Sequence, residues 1–416
     1  MVVVTADVSA AKGRGRVQAV RMIALIGGVA CFLAVVLDAF QTIILPQRQK
    51  GRLRITRVFF ILTWAPLAAL APKIANKRNR EFLYAAYGPM SLILLLVVWA
   101  VLLIVGFALM FFALGSPFSD TLSAGGNWAK FRTDLYVSGT SLFTLGLGDV
   151  VPHSLPTRAL IVLESGVGLG FVALVIGYLP VLYQAFSRRE INIALLDSRA
   201  GSPPNAAELM RRHGFEGGQD ALITLLAEWE RWSAEILESH ISYPILCYYR
   251  SQHNTQSWLA ALVAILDTCS LLVAVVDGIS SRQAQLTFVM ARHALIDLAN
   301  TFGVQEASDW AHWNEFDRLP AADFYQLCDA LGDVELRLCG DPAAAERLHT
   351  MRALYEPYAL SLGDYLKLPL PVWAGAKREK DQWAVLTQLR REARAASGEA
   401  QTGRVGDHGF LHEEEH

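Results

Sequence analysis

The sequence predicts an all-α membrane protein, and three observations lead to this fold class. Only 18% of the 416 residues are charged, whereas an ordinary soluble chain carries about 25%, and the mean hydropathy is +0.30. Residues 82–119 and 165–187 contain no Asp, Glu, Lys or Arg. In the second half, apolar residues recur at three- and four-residue steps over 219–240 and 283–300, which is the period of amphipathic helices.

Charge is distributed unevenly along the chain. Residues 1–190 contain 18 Lys and Arg against 8 Asp and Glu, a net charge of +10, whereas the remaining 19 basic and 31 acidic residues give −12. A basic, apolar first part suits an anionic membrane surface, and an acidic second part suits the aqueous phase. The second part has no basic patch interleaved with aromatic residues, so we do not expect nucleic acid as a partner.

The chain opens with a predicted tail, 1–20, followed by a membrane helix or helical hairpin with basic loops at 21–81. A helix of about 20 apolar residues crosses a bilayer, and Met22–Leu45 is long enough, with Asp38 and Gln41 as its polar residues. No A-x-A cleavage pattern follows it, which favours an anchor over a secretory signal. Residues 58–72 are short and contain Pro66, so they either span or lie in the interface.

Two further helices complete the membrane part, an outer helix at 82–114 and an inner helix at 156–187. Basic residues flank them, at 73–80 before the first and at 188–189 after the second. The positive-inside rule then places these two ends in the cytoplasm and the connection 115–156 outside. The basic loop 48–57 breaks this rule if both earlier segments span, which leaves three or four spans and an open position for the N-terminus.

The connection contains the hexapeptide TLGLGD, at Thr144, Leu145, Gly146, Leu147, Gly148 and Asp149. One interpretation is a Gly-Asp turn between two helices. The surroundings favour another, because residues 131–143 have the length of a short helix that enters the membrane partway. The order is then outer helix, half-helix, hexapeptide and inner helix.

The residue types in the hexapeptide suit the binding of a dehydrated cation. Carbonyl groups that all point to one side require alternation between ordinary and left-handed backbone, and glycine adopts the latter without steric cost. Gly146 and Gly148 occupy alternate positions, and Thr144 can add a hydroxyl oxygen. Asp149 would concentrate cations at the outer mouth, while the C-terminal end of the half-helix carries partial negative charge.

This order of elements resembles the pore domain of the potassium channels, over about residues 82–187. The usual filter of that family is TVGYGD. The resemblance implies a selectivity filter at 144–149, with K⁺ at the backbone carbonyls of Thr144, Leu145, Gly146 and Leu147. It also implies a homotetramer, because one chain carries one such segment.

Leu147 departs from the family pattern, since it replaces the aromatic residue, as also occurs in the second pore loop of two-pore-domain potassium channels. Leucine cannot donate the hydrogen bond with which that aromatic residue braces the filter. A weakly selective cation channel is therefore an alternative to a potassium channel.

The inner helix contains further candidate residues. Its small residues and its proline have two equally good interpretations. They could form a hinge that opens the inner mouth, or they could serve close packing between helices. These residues are Gly166, Gly168, Gly170, Gly177 and Pro180. Glu164 lies just after the hexapeptide, where it either supports the filter from behind or is solvated at the interface.

The second half is predicted to be helical. We expect a linker at 190–205, an all-helical cytosolic domain at 206–390 and a disordered polar tail at 391–416. Trp258–Val276 could be another span, but Asp267 at its centre is expensive in lipid, so a core helix with a polar partner for Asp267 is favoured. The polar stretch 240–253 is either a ligand or metal site or a set of satisfied core groups.

The sequence thus predicts a passive, cation-selective channel, with potassium as the expected ion, and no enzyme, because no catalytic cluster has convincing spacing. The permeant K⁺ takes the place of any cofactor. Expected partners are three further copies of the chain, membrane lipids and an unknown regulatory ligand, in the inner membrane of a bacterium with the C-terminal domain cytoplasmic. The alternative from another class is a membrane-anchored helical scaffold or sensor with a vestigial pore.

Overall fold

The computed structural model describes most of the chain. Its residues are 2–43, 54–119, 126–215, 218–252, 256–277, 281–304, 317–332, 336–338 and 340–374, with side chains from residue 15 onwards. The predicted polar tail 391–416 and the last part of the predicted helical domain lie outside these residues. Packing divides the chain into a membrane unit, Met1–Ser187 with Glu238–Arg250, and a C-terminal unit, Arg188–Leu237 with Ser251–His416.

Helices make up almost all of the membrane unit. They are α1 (Val2–Ile43), α2 (Ile55–Leu70), α3 (Lys77–Ala113), α4 (Asn127–Leu142) and α5 (Leu155–Ala200), whose last residues enter the C-terminal unit. A 3₁₀ turn at Ala71–Lys73 follows α2, and strands β1 (Phe118–Ser119) and β2 (Val151–Pro152) pair antiparallel.

Helix boundaries differ from the predicted ones because charge marks the end of a span and not the end of a helix. Helix α3 begins at Lys77 rather than 82, since the Asn76 side chain accepts hydrogen bonds from the N–H groups of Arg78 and Asn79 and caps it. Helix α4 begins at Asn127 rather than 131. Helix α5 continues to Ala200, so the predicted linker 190–205 is helical over most of its length.

Helix α1 runs antiparallel to α3. Gly28 lies against Gly106, where a β-carbon on Gly28 would be 2.6 Å from the carbonyl oxygen. Ten residues later on α1, the Trp99 indole N–H donates to Asp38 at 3.0 Å. The two helices are therefore in close contact through glycine, and a polar contact fixes their register.

Helix α2 lies beside the half of α3 that begins at Lys77, called here the basic half. Its first turn meets Asp38, to which the Thr56 hydroxyl donates at 2.6 Å, and its middle reaches Tyr84, whose ring lies 6.0 Å from that of Trp64. Helix α2 thus runs in the same direction as α1 and accompanies only part of α3. The two predicted alternatives for 58–72, a span and a helix in the interface, both stay open.

Four helices are long and apolar enough to cross a membrane, at Gly15–Ile43, Ile55–Lys73, Lys77–Ala113 and Leu155–Ala200. By length and composition, α2 is thus one of the helices that could cross a membrane. Its contacts, however, extend along only part of α3. The conflict between the basic loop 48–57 and the positive-inside rule arises only if α2 crosses completely. Ile43, just before that loop, packs against a cluster that contains Leu92 of the basic half.

The C-terminal unit is helical within its described residues, apart from strands β3 (Val276–Asp277) and β4 (Arg337–Leu338), which pair antiparallel. Its helices are α6 (Ala206–His213), the first part of α7 (Gly218–Ser242), α8 (Trp258–Ala274), α9 (Arg282–Thr301), α10 (Ala321–Ala330), α11 (Pro342–Ala353) and α12 (Glu356–Leu366).

Helix α8 is the core of this unit, and almost every one of its residues is buried. Asp267 at its centre is fully buried and accepts hydrogen bonds from the Arg318 guanidinium, at 3.2 Å to Oδ1, and from the Tyr355 hydroxyl. The prediction of a core helix with a polar partner for Asp267 is confirmed. A span is excluded for this segment because neighbouring helices already cover it.

Candidate functional site

The hexapeptide has alternating backbone handedness. Thr144 (φ 54°), Gly146 (φ 52°) and Gly148 (φ 77°) are left-handed, whereas Leu145 and Leu147 between them are not. The left-handed conformation predicted for the two glycines is confirmed, and Thr144 extends the alternation by one residue. Carbonyl groups along such a segment can face one side together.

Thr144 adopts this conformation at a cost, because a residue with a β-carbon loses roughly 1–2 kcal/mol in the left-handed region. Two hydrogen bonds from the end of α4 hold it there. The Thr144 N–H donates to the Ser141 carbonyl at 3.0 Å, and the Leu145 N–H donates to the Thr140 carbonyl at 2.7 Å. The end of α4 and the start of the hexapeptide are therefore one hydrogen-bonded structure.

Helix α5 approaches the end of α4 as closely as a backbone allows. A β-carbon on Gly168 would lie only 1.9 Å from the Leu142 carbonyl oxygen, so this position requires glycine. Leu142 itself is buried in a cluster with Trp99 and Leu103 of α3. The end of α4 is thus clamped between α3 and α5.

The outer end of the hexapeptide is tied back to α4. The Tyr136 hydroxyl donates a hydrogen bond of 2.7 Å to the Asp149 carboxylate. Sequence reasoning missed Tyr136, although it is the one hydroxylated aromatic residue in the predicted half-helix. The hexapeptide is therefore fixed at its first residue by backbone bonds and at its last by a side chain.

Glu164 lies beside α4 and is fully buried. The Ser138 hydroxyl of α4 donates to its Oε1 atom, and Oε2 has no hydrogen-bond partner among the described residues. The interpretation of Glu164 as solvated at the interface is wrong, because helices α4 and α5 enclose it. Its contact is with α4, so the predicted support of the filter by Glu164 would act through α4 and stays a prediction.

The small residues of the inner helix divide into two groups. Gly168 serves close packing, as described above. No atom lies within 4 Å of where a β-carbon would stand on Gly166, Gly170 or Gly177, and α5 runs as one helix through Pro180. A hinge at these positions stays a prediction.

The candidate cation ligands are backbone oxygens. Among the described residues, no group of three or more His, Cys, Asp or Glu side chains could hold a metal ion. The carbonyls of Thr144, Leu145, Gly146 and Leu147 follow one another along the alternating segment. The side chains of Leu145 and Leu147 are 61% and 65% exposed in a single chain.

The polar stretch 240–253 has a packing role where the structure describes it. Tyr248 stacks on Phe60 with the two ring centroids 5.4 Å apart, and the Arg250 guanidinium lies 5.0 Å from the Tyr84 ring centroid. His253 is outside the described residues. The interpretation as satisfied core groups therefore fits better than a ligand or metal site.

The C-terminal unit holds a second polar cluster around Arg318 and Arg352. Burial by itself would lower the pKa of Arg318, but the charge and hydrogen bonds of Asp267 raise that pKa above its ordinary value. Glu356 joins the two arginines, at 3.1 Å from Arg318 and 2.8 Å from Arg352. These groups satisfy one another, so the cluster stabilises the core and offers no free reactive group.

The region from α3 to α5 has a match among known protein families. Residues 93–184 match the family model described as ion channel. This part of the chain is similar to an ion channel domain. The matching region extends from the middle of α3 to the middle of α5 and includes α4, the hexapeptide and Glu164.

A bacterial relative is similar over a longer segment. The uncharacterized membrane protein YdjJ of Bacillus subtilis (strain 168) is 26% identical over 182 residues, which are 43% of this chain and 51% of that protein. The chain thus matches about half of its relative's length. No solved structure matches the chain. The prediction of an all-α membrane protein with a pore domain is confirmed by the ion channel domain together with the apolar helices.

Proposed function

We propose that the chain forms a passive cation channel with potassium as its preferred ion. The observation that carries this proposal is the alternating handedness at Thr144, Gly146 and Gly148 within the ion channel domain. Such a segment can replace the hydration shell of a cation with carbonyl oxygens, which is how potassium filters work. The segment would then bind K⁺ at Thr144, Leu145, Gly146 and Leu147.

Two electrostatic features support cation passage. Helix α4 ends directly at the hexapeptide, and the C-terminal end of a helix carries partial negative charge. Asp149 at the opposite end adds a carboxylate, which raises the local concentration of cations. Both would favour a positive ion and disfavour an anion at the two ends of the segment.

The proposed pore is a homotetramer. Carbonyl oxygens must surround a cation, and potassium filters use four equivalent loops, whereas one chain supplies a single hexapeptide. The exposed side chains of Leu145 and Leu147 are apolar surface that neighbouring copies would cover. Three further copies of the chain would therefore complete both the oxygen cage and the packing around it.

A weakly selective cation channel is the second candidate, and Leu147 is the residue that favours it. Leucine has no hydroxyl or N–H with which to brace the segment. The bond from Tyr136 to Asp149, at 2.7 Å, supplies a different brace at the next residue but one. Selectivity for K⁺ then depends on whether that bond alone keeps the carbonyl spacing fixed.

The orientation that we propose follows from basic residues at the helix ends. Arg78 and Arg80 lie in the first turn of α3, and Arg188 and Arg189 lie on the later part of α5. Basic residues mark the cytoplasmic side, so the hexapeptide faces outward and the C-terminal unit lies in the cytoplasm, with the inner membrane of a bacterium as its location. The C-terminal unit would serve assembly or gating, under a regulatory ligand that is not known.

The test is ion flux into proteoliposomes that contain the purified chain. We expect faster K⁺ than Na⁺ entry for the wild type, and loss of flux in Gly146→Ala, because alanine disfavours the left-handed backbone by about 1–2 kcal/mol in each copy. The matched control is Gly27→Ala, at a helical position on α1 where a β-carbon would meet no atom closer than 4.0 Å, which should conduct like the wild type.

Three results would separate the candidates. Equal K⁺ and Na⁺ flux that still disappears in Gly146→Ala would favour the weakly selective channel. Flux that persists unchanged in Gly146→Ala would contradict the filter. No flux from well-folded protein, together with a monomer or dimer in detergent, would favour the scaffold or sensor.

A further inference from the structure

Residues 238–250, the end of α7 and the segment after it, pack with the membrane unit, although the chain before and after them belongs to the C-terminal unit. We call residues 243–250 the docking segment. Ile245, Leu246, Cys247 and Tyr248 in this segment are all buried, with Leu246 fully so. Such complete burial indicates a built-in contact rather than a loop that passes over a surface.

One face of the docking segment contacts α2 and α3. The Tyr248 ring is stacked on Phe60 at an interplanar angle of 4°, and its centroid lies 5.0 Å from Trp64 and 5.3 Å from Tyr87. Arg250 lies over the ring of Tyr84. This face therefore rests on the basic half of α3 and on the part of α2 beside it.

The other face contacts α5 along a single stripe. Tyr178, Leu182 and Phe186 follow one another at four-residue steps on α5, and residues at this spacing share one helix face. The Tyr178 ring lies 5.6 Å from the ring of Tyr243, and Leu182 belongs to the cluster that contains Leu246. The stripe begins two residues before Pro180 and continues beyond it.

Tyr249 contacts both sides at once. Its ring lies 5.6 Å from that of Phe186 on α5, and a β-carbon on Gly88 of α3 would be only 2.7 Å from it. Glycine at position 88 thus lets Tyr249 approach the α3 backbone directly. The docking segment fills the space between the basic half of α3 and the last membrane turns of α5.

The chain that leaves the docking segment is fastened to the continuation of α5. The Ser251 hydroxyl donates to Glu190 at 3.2 Å, and the Gln256 amide donates to Asp197 at 2.6 Å. These contacts lie within the C-terminal unit. Movement in that unit would therefore pull on the docking segment through the covalent chain.

We propose that the docking segment is a wedge that keeps the pore narrow, and that the C-terminal unit opens the pore by withdrawing it. Protein interiors are close-packed and resist compression. The later part of α5 cannot swing toward α3 while the docking segment occupies the space between them. The inference rests on the proposed function, with α5 as the predicted inner helix whose movement opens the inner mouth.

The test uses Cys247 as a reporter of docking that does not depend on ion flux. Cys247 is 2% exposed, so a maleimide should react with it slowly while the segment is docked. The full-length chain carries alanine in place of Cys31, Cys269, Cys328 and Cys339, which leaves Cys247 as its single thiol. Labelling and K⁺ flux are measured on the same proteoliposomes.

The decisive variant is Gly88→Val, whose side chain collides with Tyr249. We expect Cys247 to react about tenfold faster, because the segment spends more time undocked, and K⁺ flux to rise severalfold. The matched control is Gly27→Val on α1, where a β-carbon would meet no atom closer than 4.0 Å, and it should change neither quantity. The double variant Tyr248→Ala, Tyr249→Ala removes the anchors and should behave like Gly88→Val.

Each result bears on the proposal. Faster labelling of Cys247 with unchanged or reduced flux, in a wild type that conducts, would overturn the wedge and leave the pore proposal intact. No change in labelling in either variant would show that these contacts do not hold the segment. Faster labelling without flux in any protein would mean that the pore proposal itself has failed, and the wedge with it.

Discussion

The hexapeptide and helix α8 are both apolar segments that contain one aspartate, yet they differ in burial and in the number of partners of that aspartate. Helix α8 is buried on all sides, and its Asp267 receives hydrogen bonds from Arg318 and Tyr355. The hexapeptide instead exposes its two leucines and holds Asp149 through Tyr136 alone among the described contacts. Helix α8 is thus covered within one chain, whereas the hexapeptide leaves apolar side chains exposed in a single chain.

We therefore expect the contacts around α8 to determine stability and the contacts around the hexapeptide to determine transport. The polar groups around α8 are mutually satisfied, so their removal should damage the C-terminal unit whether or not a pore exists. The contacts around the hexapeptide set the position of a backbone, so their removal should change transport more than unfolding. The following predictions test that division, from the largest expected effect to the smallest.

Asp267→Ala should cause the largest loss of stability. It leaves the Arg318 guanidinium buried without its main partner, and breaking a buried pair costs about 3–5 kcal/mol. The thermal midpoint of the detergent-solubilised protein should fall clearly. Asp364→Ala is the control, because its pair with Lys367 is at the surface and such pairs are worth about 1 kcal/mol or less. Equal losses in the two variants would contradict the central role of α8.

Gly168→Ala should disturb the hexapeptide through α4. Its β-carbon would meet the Leu142 carbonyl at 1.9 Å, and overpacking of this kind costs about 1–3 kcal/mol or more. We expect ion flux to fall sharply while the C-terminal unit keeps its unfolding midpoint. Gly27→Ala on α1, where a β-carbon would meet no atom closer than 4.0 Å, should have little effect on either quantity. A Gly168→Ala protein with normal flux would mean that the end of α4 can shift freely.

Tyr136→Phe should have a smaller and more specific effect. It removes the hydroxyl that donates to Asp149, and a hydrogen bond of this kind contributes about 1 kcal/mol. The ratio of K⁺ to Na⁺ flux should decrease while the unfolding midpoint stays the same. Tyr183→Phe, which removes an exposed hydroxyl on α5, is the matched control. An unchanged flux ratio would assign the bracing of the segment to other contacts.

The smallest effect should be a pH dependence of the C-terminal unit. Burial lowers the pKa of His213 from its ordinary value of 6.5, and nearby Arg199 and Arg212 act in the same direction. The hydrogen bond that its Nδ1–H donates to the Leu209 carbonyl, at 2.9 Å, acts in the opposite direction but does not cancel the lowering of the pKa. Below about pH 6.5 the unfolded chain binds a proton that the folded chain does not, so stability falls as pH decreases.

Thermal midpoints between pH 8 and pH 5 would check this sign. The wild-type midpoint should decrease below about pH 6.5, and His213→Gln should show a flatter profile because glutamine does not titrate. Identical slopes in the two proteins would assign the pH dependence to other groups.

Parts of the candidate site could be predicted without a structure because they depend on local chemistry. The left-handed conformation of Gly146 and Gly148 follows from the need for alternating backbone and from the freedom of glycine. The position of Glu164 near the half-helix follows from the order of the elements. Tyr136 was missed because its partner, Asp149, becomes close only when the chain turns back after α4.

The sequence by itself determined the helical membrane class, the hexapeptide and the burial of Asp267 within a core helix. Runs without charge, a glycine pattern and an acid in an apolar segment are each compatible with few local structures. Those structures depend on residues that are close in sequence. Only the tertiary structure decided that α2 accompanies half of α3, that Gly168 serves packing and that residues 243–250 lie between α3 and α5. These outcomes depend on contacts between segments distant in sequence, where shape decides which of several apolar surfaces meet.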